Sequence, residues 1–252
     1  MNPLEHCLVP DWPAPPSVRA LQTLRTGGVS HAPYDAFNLG DHVGDAPLAV
    51  ARNRQLLAPL LPSEPVWLKQ VHGVTVVRAA EAPCLPQADA CIADCRDAVC
   101  TVMTADCLPV LLCDERGSVV GAAHAGWRGL CDGVIEATVQ AMDVPPQTLM
   151  AWLGPAIGPQ AFEVGDEVRA AFVARQAAAS QAFISGETAG KWLADLYLLA
   201  RLRLATLGIG RVYGGGFCTY TEPQRFFSYR RDGVTGRMGT FIWLTDPASA
   251  SA

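Results

Sequence analysis

The sequence predicts a single mixed α/β (α+β) domain, and three observations carry that expectation. Short β-type apolar runs alternate with helix-period segments along the whole chain. Half of the 252 residues are hydrophobic and 17% are charged, which is enough apolar material for one large core. No internal repeat, low-complexity block or long linker divides the chain. Residues 1–246 are therefore expected to form one domain, and the Ala/Ser tail at 247–252 is expected to fray.

Each element follows from local pattern. Residues 47–61 read as a helix with Asp45 placed to cap it and Leu56, Leu57 and Leu60 on one side. Residues 66–68 and 74–77 are apolar strand candidates that bracket Gln70-Val71-His72-Gly73. Three β-type runs follow at 98–103, 109–113 and 118–123, the last two joined by a Glu115-Arg116-Gly117 turn. Residues 129–142 read as helix, 149–153 as strand and 165–178 as helix. Residues 191–207 place Leu193, Leu196, Ala200, Leu204 and Leu207 at helical spacing, the pattern of an amphipathic core helix. Strands at 211–217 and 239–244 close the chain.

Composition excludes several classes. The net charge is −5 and the cations are scattered, so no basic stripe offers itself to a nucleic acid. No apolar run approaches the roughly 20 residues that span a bilayer. The first sixteen residues lack a cationic start followed by an apolar run, so no signal peptide is expected. Nine cysteines without a CxxC pair fit a cytoplasmic chain with reduced thiols. A cysteine that matters here is then a ligand or a nucleophile rather than half of a disulfide. Gly214-Gly215-Gly216 does not open a helix in the GxGxxG manner, so it gives no support to a dinucleotide site.

The polar residues that could carry chemistry lie at the ends of the central strands. Cys107 sits in Thr104-Ala105-Asp106-Cys107-Leu108-Pro109, where Pro109 forbids a helix. His124 sits among small residues in Ala123-His124-Ala125-Gly126-Trp127-Arg128-Gly129, where a strand gives way to a helix. His72 occupies a tight bend. The spacing of the three matches no local metal motif: HExxH is absent, as is the HxE…PCxxC pattern of zinc deaminases. From spacing alone, two loop histidines and a buried small cysteine are the favoured reading, because a free cysteine is usually buried and inert. A metal site requires all three strand ends on one edge of the sheet. Arg225, Arg230, Arg231 and Arg237 cluster in a Gly-containing loop that is either solvated surface or an anion site. His42 lies in the turn-rich Asn38-Leu39-Gly40-Asp41-His42.

The segments Trp67-Leu68-Lys69-Gln70-Val71-His72-Gly73, Met103-Thr104-Ala105-Asp106-Cys107-Leu108-Pro109 and His124-Ala125-Gly126-Trp127-Arg128-Gly129 resemble one bacterial family. It is known as the multicopper polyphenol oxidase (laccase-like) family or as laccase-domain purine nucleoside phosphorylase, with a branch called peptidoglycan editing factor. The likeness extends to Arg25-Thr26-Gly27-Gly28-Val29-Ser30, to 34–40, to Leu153-Gly154-Pro155-Ala156-Ile157-Gly158 and to 226–243.

The resemblance implies a β-rich core sandwiched by helices and a zinc held by His72, Cys107 and His124. It implies phosphorolysis of adenosine, inosine, guanosine and methylthioadenosine, with deamination of adenosine. Three protein ligands leave a tetrahedral zinc one open position, the pattern of catalytic sites. Phosphorolysis also needs an anion site, for which Arg25, Arg128 and Arg230 are the candidates. Lys69 and Asp106 flank the ligands and are candidates to place protons, and Asn38 and His42 are candidates to line the pocket. Five histidines and no HxH cannot assemble a multicopper set. A mononuclear N/S site is nevertheless open to Cu2+, which would give a copper-dependent polyphenol oxidase. Two further readings compete. One is a hydrolase that edits peptidoglycan precursors with Cys107 as nucleophile and His124 as base. The other is a metal-buffering or scaffold protein.

Overall fold

The computed structural model describes residues 3–246; the tail at 247–252, expected to fray, lies outside the described residues. Strands β1 (Cys7–Leu8) and β2 (Val18–Thr23) precede helix α1 (Pro47–Leu57). There follow β3 (Val76–Arg78), β4 (Ala90–Ala93), β5 (Cys100–Thr104), β6 (Leu108–Asp114) and β7 (Val120–Ala125). Helices α2 (Trp127–Asp132) and α3 (Val134–Met142) lead to β8 (Leu149–Leu153), β9 (Glu163–Gly165) and α4 (Asp166–Arg175). Next come β10 (Phe183–Ser185), β11 (Lys191–Ala194), α5 (Leu196–Thr206) and β12 (Arg211–Gly214). A short α6 (Tyr229–Asp232) and β13 (Met238–Leu244) complete the described chain.

The strands form three sheets, of six strands in the order β12-β8-β6-β7-β4-β3, four in the order β1-β2-β13-β5, and three in the order β10-β11-β9. Strand parity explains how the two larger sheets stack. In β6, Leu108, Val110 and Leu112 pack with Leu130, Val134, Ile135 and Leu204 of the helices. Leu111 and Cys113 point the other way, into a cluster with Cys100 and Val102 of β5 and Ile242 and Leu244 of β13. Strand β8 divides its residues likewise, with Leu149, Ala151 and Leu153 toward the helices and Met150 and Trp152 toward the second sheet. Strands buried on both faces cannot alternate polar with apolar, which is why they read as continuous apolar runs. The outer face of the four-stranded sheet is covered by Leu57 of α1 with Phe37, Leu39 and Trp67. The expected β-rich core between helical layers is therefore present.

Several element boundaries differ from expectation. Helix α1 ends at Leu57 and passes into a 3-10 turn, and its N-cap is Ala46, with no side-chain cap. Asp45 instead accepts from the Ala46 N–H (2.7 Å), the Ser30 hydroxyl (2.6 Å) and the Asn38 amide (2.9 Å). Residues 66–68 form only a parallel bridge between Val66 and Cys100. The helix expected at 129–142 starts two residues earlier and breaks at Gly133, whose φ of 106° no ordinary helical residue adopts. The segment 191–207 begins as β11, and α5 starts only after Asp195, whose carboxylate accepts from the Leu198 N–H at 2.9 Å.

No helix among the described residues is long and apolar enough to cross a membrane. Leu111 is fully buried between the two sheets. Leu111→Ala is expected to cost about 2–5 kcal/mol, read as a lowered midpoint in urea denaturation.

Candidate metal centre and cavity

Chain geometry brings the site residues to one end of the stacked sheets. In the antiparallel pair β6/β7, Leu108 faces Ala125 and Pro109 faces His124. Cys107, one residue before β6, therefore lies beside the end of β7. His124 and Cys107 share the parity of Leu111 and Cys113, so both fall on the side between the sheets. Residues 105–107 are also the crossing from β5 in one sheet to β6 in the other. Ala90 of β4 faces Ala123 of β7, which sets Asp89 next to His124. The His72 loop enters from the segment just before β3, the strand that pairs with β4.

The ligating atoms of His72, Cys107 and His124 all lie within 4.8 Å of one another. Cys107 Sγ is 3.8 Å from His72 Nε2, and the two imidazole rings meet edge-on with centroids 4.8 Å apart. Zinc–nitrogen and zinc–sulfur bonds at a tetrahedral angle require an N···S separation of roughly 3.5 Å. The donors thus stand close to a metal-binding arrangement, and two imidazoles with one thiolate suit a transition metal.

One carboxylate organises both histidines. Asp89 is fully buried and accepts the backbone N–H groups of Val71 (3.1 Å), His72 (2.9 Å) and Gly73 (2.7 Å). It also receives His124 Nδ1–H at 2.8 Å, while its own carbonyl accepts the His124 N–H at 2.7 Å. These bonds hold the bend in which His72 takes a φ of 61°, and they leave His124 Nε2 as the free donor. Burial alone would raise the Asp89 pKa, but the His124 hydrogen bond and those from Gly73 and Val71 hold it below the usual carboxylate range. Gly126 is the second requirement. A Cβ there would lie 2.8 Å from His72 Cδ2 and 3.0 Å from Cys107 Sγ.

Burial pushes the Cys107 thiol up, but the charge of His124 and hydrogen bonds from His124 and His72 outweigh it and bring its pKa down to about 6. For His124, burial disfavours the charged ring, yet Cys107 and Asp89 raise its pKa to about 9. The pair therefore behaves as a thiolate beside an imidazolium at neutral pH, and it sheds its two protons near pH 6 and pH 9.

The triad opens into a cavity of about 490 Å3. Its wall combines Trp127, Ile157, Phe162 and Tyr229 with the polar groups of His42, Asp106, Arg230 and Arg237. Among the sequence candidates, His42, Asp106 and Arg230 stand in this wall with the triad. Asp106 accepts from the Thr219 hydroxyl at 2.6 Å and from the Arg230 N–H at 2.8 Å.

The other candidates lie off the wall. Arg25 pairs with Asp35 (3.4 Å) and donates to the carbonyls of Asp35 and Pro223 at 3.0 Å each. Arg128 is exposed and folds over the Trp127 ring, 4.5 Å from its centroid. Lys69 is exposed, with its backbone bridged to Gln87. Asn38 is fully buried, and its Oδ1 accepts the N–H of Gly40 and of Arg237, each at 2.9 Å. Sequence reasoning missed Asp89 and gave no separate role to Arg237. The available signal for Asp89 was an acid just ahead of a small apolar run, Ala90-Cys91-Ile92-Ala93.

Residues 19–245 match the family described as multi-copper polyphenol oxidoreductase laccase. The chain belongs to that family. A Pseudomonas aeruginosa protein named purine nucleoside phosphorylase is 56% identical over 95% of this chain and 98% of its own length. Purine nucleoside phosphorylase YfiH of Escherichia coli is 56% identical over 96% of this chain and all of its own. A crystal structure of a Neisseria meningitidis protein superposes with a TM-score of 0.93 at 54% identity, covering 96% of this chain and 100% of that one. YlmD of Geobacillus stearothermophilus gives a TM-score of 0.81 at 30% identity, covering 92% of this chain and 94% of its own. Despite the family's multi-copper description, the described residues contain one group of His, Cys and acidic side chains suited to a metal, the triad.

Two measurements check this centre. Asp89→Asn, which removes the acceptor shared by both histidines, is expected to weaken zinc affinity about 10- to 100-fold in chelator competition. Zinc affinity of the wild type is expected to rise about tenfold per pH unit between pH 6 and 9, where binding displaces one proton, and more steeply below pH 6, where it displaces two.

Proposed function

We propose that the chain is a zinc-dependent purine nucleoside phosphorylase that also deaminates adenosine. The observation that carries the reading is the His72–Cys107–His124 cluster opening into a cavity with arginines in its wall, in a chain 56% identical to proteins named purine nucleoside phosphorylase. Adenosine, inosine, guanosine and methylthioadenosine are the substrates, and phosphate is the co-substrate.

In phosphorolysis a phosphate oxygen bonds to C1′ of the ribose while the C1′–N9 bond breaks, and the base leaves with the electron pair and takes up a proton. The residues supply two things. Phe162, Trp127 and Tyr229 offer flat apolar surface for a purine. The cationic part of the wall, where Arg230 stands, holds the phosphate. A metal held by His72, Cys107 and His124 would supply Lewis-acid activation of water for the deamination, in which the water oxygen replaces the amine and ammonia leaves. Cys107 serves as thiolate, and His124 is oriented by Asp89 with Nε2 toward the triad's interior. Cu2+ at the same N/S donors is the route to phenol oxidation.

A second reading has one observation in its favour. The lowered Cys107 pKa is what a cysteine nucleophile also requires, which keeps the peptidoglycan-editing hydrolase in view.

With inosine, hypoxanthine release is expected to require phosphate and to yield ribose 1-phosphate. Equal release in phosphate-free buffer would replace phosphorolysis with hydrolysis. Cys107→Ser is expected to lose both bound zinc and most turnover. Loss of turnover with full zinc content would favour the nucleophile.

A further inference from the structure

Many arginines of this acidic chain are neutralised within the molecule, as Arg25 is by Asp35, Arg54 by Asp41, Arg203 by Glu136 and Arg231 by Asp232. The two arginines of the cavity wall are not. Arg237 donates through Nη1 to the carbonyls of Thr235 and Gly236, each at 3.0 Å, and Arg230 through Nη1 to the carbonyl of Glu163 at 2.9 Å. In both side chains Nε and Nη2 have no protein acceptor, and neither guanidinium has a carboxylate partner, among the described residues.

The nearest acid in the wall, Asp106, spends its oxygens on the Thr219 hydroxyl and the Arg230 backbone N–H. Arg237 is half-buried, so its charge is partly removed from water without an ion pair in return. Its backbone is pinned by buried Asn38, and its guanidinium lies 5.9 Å from the centroid of the Tyr229 ring. An anchored guanidinium with two free donors in a concave wall is built for a planar or tetrahedral oxyanion.

We propose that Arg237 and Arg230 together form the seat of a phosphate dianion, with Arg237 presenting Nε and Nη2 as a fork. The inference rests on the phosphorolytic reading and specifies its anion site. Arg25 and Arg128 then have no part in binding phosphate. The seat takes inorganic phosphate, and the chemistry it shares with the phosphate ester of a nucleotide is separated by experiment.

The test uses the full zinc-loaded chain with inosine and inorganic phosphate. Arg237→Gln is expected to raise KM for phosphate at least tenfold, with a smaller change in kcat and with zinc content retained. Arg237→Lys keeps the charge without the fork, guards against misfolding, and is expected to fall between the two. Broadening of the phosphorus resonance of inorganic phosphate by the wild type, lost in Arg237→Gln, reads the seat without turnover. A phosphate KM within twofold of wild type in both variants overturns the seat and leaves the phosphorylase reading intact. Phosphate-independent base release by the wild type overturns that reading instead, and the resonance measurement then decides the seat by itself. Tighter binding of inosine monophosphate than of inosine, lost in Arg237→Gln, overturns the assignment to inorganic phosphate in favour of a nucleotide substrate.

Discussion

The Asp89 carboxylate is the interaction on which the site depends. It collects three consecutive backbone N–H groups from the 71–73 bend and one imidazole N–H from His124, without exposure to water. A buried carboxylate is costly unless its lone pairs are satisfied, and here four donors satisfy them. The same bonds fix a bend that a histidine with φ of 61° would not hold alone, and they choose which nitrogen of His124 remains available. Two candidate ligands 52 positions apart are thus set by one side chain outside the triad.

Sheet parity does the rest. The alternation that sends Leu108, Val110 and Leu112 to the helices and Leu111 and Cys113 to the second sheet also determines where Cys107 points. Continued back one residue before the start of β6, it places the thiol in the seam between layers, where His124 arrives from the neighbouring strand. Gly126 keeps that seam narrow, since a methyl group there would press on His72 and on Cys107 together. Burial, register and a missing side chain therefore act jointly to bring the donors within reach.

The central strands were legible because β6, β7 and β8 are buried on both faces and so are almost wholly apolar, with Asp114 closing β6 and His124 near the end of β7. Strand β2 was not, because its interior holds Arg19 and Gln22. Gln22 is fully buried, donating to the Thr23 carbonyl and accepting from the hydroxyl of Thr240 on β13, a partner that only the folded sheet provides. The 191–207 segment misled because Leu193 fits a helical period while its backbone pairs with Glu163 in a sheet. At the site, the triad could be named through the family likeness, whereas spacing alone left it open. Asp89 and Arg237 stayed hidden because their importance lies in what surrounds them: four donors in one case, and unpaired guanidinium nitrogens in the other.

The crossing at 105–107 gives the centre a mechanical meaning. Cys107 hangs on the link that leaves the four-stranded sheet, whereas His124 ends a strand of the six-stranded one. A metal held by both, with His72 as the third donor, would rivet the two layers at one end. A chain without metal would then lack that crosslink, and its stability would depend on metal concentration. At a free metal concentration a thousand times the dissociation constant, the folded state gains about 4 kcal/mol from this linkage alone. That is comparable with much of the margin by which a domain normally resists unfolding. Metal removal would therefore loosen the seam between the two sheets as well as empty the triad.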